Sequence, residues 1–83
     1  MNDRELTAIL LEILENDYLI SPDKLKEENW DFPLTGNHFG LSGFELAALI
    51  LEFEKRTGTM IDINEKSMYA LASINDIIKS ASG

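Results

Sequence analysis

The chain has 83 residues, 45% of them hydrophobic and 27% charged, with no cysteine and a formal net charge of −8. A chain this short buries about 60–65% of its unfolded surface, enough for one domain (1–83) with a thin core, and its mixed charges and apolar content argue against disorder. The missing cysteines exclude disulfides and thiolate metal sites, and the acidic surface repels phosphate backbones and anionic lipid, so neither nucleic acid nor a membrane is expected as a partner.

The start, Met1-Asn2-Asp3-Arg4-Glu5, lacks the basic and continuous apolar stretch of a signal peptide. No run approaches the roughly 20 apolar residues that span a bilayer. A cytoplasmic location and a monomer are expected.

Leu6, Ile9, Leu10, Ile13 and Leu14 recur at helical spacing. They predict an amphipathic first helix over 3–16, capped by Asn2 or Asp3 and interrupted at Asn16-Asp17. Ser21-Pro22-Asp23 then reads as an N-cap with proline at the first helical position, opening a helix of at most two turns over 24–28. Residues 30–41 lack periodicity and hold Pro33, Gly36 and Gly40, yet Trp30, Phe32, Leu34 and Phe39 lie among them. Large apolar side chains in such a segment predict an ordered connection pinned across the core.

Ser42-Gly43-Phe44-Glu45 fits the capping box, serine at the N-cap and glutamate three residues on. It opens a central helix over 43–57 that stops at Gly58, with Lys55 and Arg56 favourable in the last turn. Leu46, Leu49, Ile50 and Phe53 form one apolar stripe; Phe44, Ala47, Ala48 and Leu51 form a second. The second stripe is either covered by the loop carrying Trp30, Phe32 and Phe39 or left as a docking surface. An extended link over 59–63, a short turn of helix over 64–69 and a Ser73-capped helix from Ile74 to about residue 80, with Asp76 at its third position, complete the reading. The predicted core is Leu6, Ile9, Leu10, Ile13, Leu46, Leu49, Ile50, Phe53, Ile74, Ile77 and Ile78.

Catalytic patterns are scarce. His38 is the only histidine and reads as a surface or loop-packing residue. The carboxylate pairs Glu12/Glu15 and Glu52/Glu54 fall on exposed helix positions and read as solvated. Asp62 and Glu65 do not fit an EF-hand, and the glycines lack the lysine and preceding strand of a phosphate-binding loop. No metal site and no enzymatic activity are expected.

The order of these elements resembles an acyl carrier protein over nearly the whole chain: a first amphipathic helix, a long ordered loop, the turn His38-Phe39-Gly40-Leu41, a central helix ending near Gly58, a link, a short helix and a serine-capped last helix. The resemblance implies an all-α four-helix bundle with a long loop between helices one and two. It also implies a phosphopantetheine arm on a serine, within an Asp-Ser-Leu motif opening the second helix, and partner enzymes that dock on that helix. Counting back without gaps from Gly58 and Phe53-Glu54-Lys55-Arg56 places the motif on Ser42-Gly43-Phe44, so the modified serine falls on Gly43.

Two readings follow. In one the chain keeps the carrier architecture without the arm, Ser42 being a cap, and docks partner enzymes of a biosynthetic or peptide-modification pathway. In the other Ser42 bears phosphopantetheine and the protein carries thioester-bound acyl or aminoacyl groups. Modifying a capping hydroxyl costs roughly 1 kcal/mol of cap energy, which favours the first. The docking face is assigned to Phe44, Glu45, Ala48, Leu51, Glu52 and Lys55, greasier and less acidic than the family's usual recognition helix. A further similarity, to acyl-carrier-related proteins found beside bacterial peptide-maturation genes, is carried by Pro33-Leu34-Thr35-Gly36 and Phe39-Gly40-Leu41-Ser42-Gly43. The competing class is a plain helical interaction module.

Overall fold

The computed structural model describes residues 2–61 and 72–82. Within them lie three α-helices, α1 (Asp3–Asp17), α2 (Gly43–Thr57) and α3 (Ile74–Ser82), and two short 3-10 turns between α1 and α2. No strand occurs among the described residues, and α1 packs against both α2 and α3. The chain is all-α. The turn of helix expected at 64–69 and the end of the link at 62–63 lie outside the described residues.

Each helix starts where a side chain can satisfy its free amides. Asn2 caps α1, its Oδ1 accepting the Glu5 N–H at 2.8 Å. Ser73 and Asp76 do the same reciprocally for α3: the Asp76 N–H donates to Ser73 Oγ and the Ser73 N–H to Asp76 Oδ2, both at 3.1 Å. α3 runs to Ser82, two residues beyond the expected end. The close of α1 is less usual. Leu19 adopts φ +55, and the Ile20 N–H reaches back to the Leu14 carbonyl at 3.1 Å, a Schellman-type ending with both Leu14 and Ile20 buried.

The expected helix over 24–28 is replaced by two 3-10 turns, Pro22–Leu25 and Glu27–Asn29, separated at Lys26, whose ψ of 151° is extended. Side chains explain the break. The Lys24 carbonyl accepts from Asn29 Nδ2 at 3.1 Å and the Leu25 carbonyl from Trp30 Nε1 at 2.8 Å. Oxygens satisfied this way have less need of the amides of a continuing helix.

The connection over 30–41 is pinned as expected, and its anchor is the start of α3. The Trp30 carbonyl accepts the Asn75 N–H at 3.1 Å, Asp31 Oδ1 accepts Asn75 Nδ2 at 2.7 Å, and the Leu34 N–H donates to the Ala72 carbonyl at 2.9 Å. Leu34, Phe39 and Leu41 drop into the core. Gly40, at φ +74, supplies the left-handed turn between the last two, which a Cβ would strain. Phe32, in contrast, stays 46% exposed.

All of the predicted core residues are buried except Ile9, which is half-buried against the cluster. Ile20, Leu25, Leu34, Phe39, Leu41, Ile61 and Ala72 join it from the connections. Three glutamates expected to be solvated, Glu12, Glu52 and Glu54, have partners instead. Glu54 Oε2 accepts the Ile61 N–H at 2.7 Å, tying the link back to α2. Glu52 Oε2 accepts from Arg56 Nε at 2.8 Å, and the same guanidinium lies 3.8 Å from both Glu12 and Asp17 on α1.

The Arg56 hydrogen bond holds the Glu52 carboxyl below its ordinary range. A depressed folded-state pKa means stabilisation that is present above the ordinary glutamate pKa of about 4.3 and lost as pH falls through the folded value. Arg56→Gln is therefore expected to lower the melting midpoint at neutral pH by a few degrees at most, as exposed pairs do, and the gap from wild type should close on acidification. A gap that persists below the glutamate range would show that Arg56 acts through packing instead.

Candidate functional site

The candidate surface begins at the start of α2. Ser42 sits just before the helix in extended conformation, φ −78 and ψ 164. Its Oγ accepts the Glu45 N–H at 3.0 Å, and Glu45 Oε1 accepts the Ser42 N–H at 2.9 Å. The capping box read from the sequence is thus complete, and it occupies both side chains. Glu45 is engaged a third time, its carbonyl accepting from the Tyr18 hydroxyl at 3.2 Å.

Spacings of four, three and four residues place Phe44, Ala48, Leu51 and Lys55 on one helix face. That face points outward: Phe44 is 85% exposed and Leu51 67%, with Ala48 and Lys55 also exposed. Ala47, from the same predicted stripe, is half-buried toward its flank. The loop does not cover this stripe, because it is spent on the start of α3. Its rings turn elsewhere: Phe39 is buried and Phe32 stacks on His38 with centroids 4.7 Å apart.

Glu45 and Glu52 lie on the adjoining face and are committed to the cap and to Arg56. They contribute charge beside the apolar stripe more than free hydrogen-bonding groups. Their field reaches Tyr18, whose hydroxyl is pushed up from its ordinary pKa by burial first and then by Asp17, Glu45 and Glu52. These three carboxylates therefore gather where the end of α1 meets the start of α2.

A phosphopantetheine arm needs an exposed hydroxyl with room beyond it. Ser42 is exposed, and a Cβ built on Gly43 meets nothing within 4 Å. The helix start is thus open at both residues, and of the two only Ser42 carries a hydroxyl.

One feature of the surface escaped sequence reasoning. An open groove of about 500 Å³ lies on the outer side of α1, lined by Arg4, Ala8, Leu11, Glu27 and Trp30 among others; it depends on where the 3-10 turns set Trp30. His38 packs in the loop as expected, edge-on to Phe39 at 5.2 Å as well as stacked on Phe32, and its buried Nε2 has no hydrogen-bond partner among the described residues. No cluster of three or more potential metal ligands occurs among the described residues, and no helix in them is long and apolar enough to cross a membrane. Set against known proteins, the chain matches no family model, no curated protein and no solved structure.

Proposed function

We propose that this protein is an acyl-carrier-protein-like domain, a four-helix bundle in its complete form, that docks partner enzymes of a biosynthetic or peptide-modification pathway through α2 and carries no arm. The observation that supports this reading best is the uncovered row of Phe44, Ala48 and Leu51 on the helix that opens at Ser42-Gly43. Small monomers seldom leave large apolar side chains side by side in water without a use for them. Gly43, at the position of the family's modified serine, supplies no nucleophile, and Ser42 has a sufficient structural role as the cap.

The second reading, a true carrier, is favoured by the exposure of Ser42 at the helix start. In that case phosphopantetheine would be esterified to Ser42 and its terminal thiol would hold an acyl or aminoacyl group as a thioester. The chain's own contribution would be to present that serine beside the apolar face.

Docking is tested with the enzymes encoded beside this gene, by measuring the Kd of each for the wild-type protein and for Phe44→Ser combined with Leu51→Ser. Both side chains are exposed, so the melting midpoint should barely move. Binding should weaken by about tenfold or more if they anchor an interface. An enzyme that binds both proteins equally well would remove α2 as the docking face.

A further inference from the structure

Leu19 serves neither of the usual purposes of an apolar residue. It is 84% exposed, so it adds nothing to the core. Its φ of +55 lies in the left-handed region that disfavours every residue with a Cβ, at a helix end where glycine or asparagine is the ordinary occupant. The backbone requires that conformation, because the Ile20 N–H must turn back onto the Leu14 carbonyl while Ile20 enters the core. The position asks for glycine, and the chain places a large exposed side chain there.

Its surroundings suggest a reason. The preceding residue, Tyr18, donates to the Glu45 carbonyl, and Phe44 directly precedes Glu45. One hydrogen bond thus joins the chain neighbour of Leu19 to the chain neighbour of Phe44, bridging the end of α1 and the start of α2. Around that bridge lie Glu12, Asp17, Glu45 and Glu52, with one guanidinium, Arg56, shared among three of them.

We propose that Leu19 is a binding residue that enters an apolar pocket rimmed by lysine or arginine on a partner protein, so that the docking face spans the end of α1 as well as α2. This rests on the docking reading of α2 and extends it. A second copy of this chain does not fit the description, since two chains of net charge −8 would bring like charges together.

The test uses the 15N-labelled 83-residue chain titrated with a short amphipathic helical peptide of leucine and lysine, and with its counterpart carrying glutamate for lysine. Amides around Leu19 and from Phe44 to Leu51 should shift with the lysine peptide and not with the glutamate one. Leu19→Asn should weaken the lysine peptide by about fivefold or more and at the same time raise the melting midpoint, because asparagine tolerates the left-handed backbone. That opposite movement distinguishes a binding residue from a structural one. Unchanged affinity in Leu19→Asn, with binding still lost in Phe44→Ser, would overturn the extension and leave α2 standing. Loss in neither variant would overturn both, and equal binding of the glutamate peptide would overturn the basic rim.

Discussion

Ser42→Asp combined with Gly43→Ser, incubated with coenzyme A and a broad-specificity phosphopantetheinyl transferase, should gain one phosphopantetheine by intact mass, whereas the wild-type chain should keep its mass. The variant rebuilds the acidic residue and the serine of the carrier motif at the positions that the gap-free count assigns to them. It should fold, because aspartate caps a helix as well as serine does and a Cβ at residue 43 meets open space. In the wild type, Ser42 Oγ accepts the Glu45 N–H, and converting it to a phosphate ester would weaken an interaction worth about 1 kcal/mol. Addition to the wild type, abolished by Ser42→Ala, would replace the armless reading with the carrier one. Failure of the rebuilt variant to react would count against the carrier resemblance at its motif, and docking would then have to be pursued without it.

Phe53→Ala should bring the protein close to unfolding at ambient temperature. Phe53 is 0% exposed on the inner face of α2, the largest of the described side chains sealed in the core. Truncating a buried phenylalanine costs about 3–5 kcal/mol in lost transfer energy and cavity. At about 0.05–0.15 kcal/mol per residue, a chain of this length has roughly 4–12 kcal/mol to lose. The thermal midpoint, followed by far-UV circular dichroism, should fall on the order of 20 °C. Leu51→Ala on the outer face should move it by little, since exposed sites seldom exceed about 0.5 kcal/mol. Similar drops at the two positions would mean that α2 is covered on both sides, and the docking face would go with that result.

The contrast between Phe53 and Leu51 was legible in the sequence as two stripes, the first of them correctly placed in the core, but whether the other was covered was not. Periodicity fixes the angle between side chains and is silent on what a loop fifteen residues away will lie upon. The capping box at Ser42 and the caps at Asn2 and Ser73 could be read because a serine or asparagine at a helix start satisfies free amides through local geometry alone. The 3-10 turns could not: they depend on Asn29 and Trp30 reaching back to carbonyls that a helix would otherwise have used. Leu19 left no trace for the same kind of reason. Glycine at a helix end announces a left-handed turn, as Gly58 does at φ +71 after α2, but a leucine there looks like one more apolar residue following Tyr18. Ser42 and Gly43 were placed correctly at the start of α2, and the chemistry of that junction was the part a single sequence could only narrow to two neighbouring residues.

Trp30 is the only tryptophan in the chain, and its indole N–H and its carbonyl are held by different parts of the fold, the first by Leu25 and the second by Asn75. Its emission is therefore an optical gauge of one seam, between the long connection and the last helix. A partner that grips only the end of α1 and the start of α2 would leave that colour untouched, whereas one that fills the groove beside Arg4, Ala8 and Leu11 or pries the connection off α3 would change it without any label having to be attached.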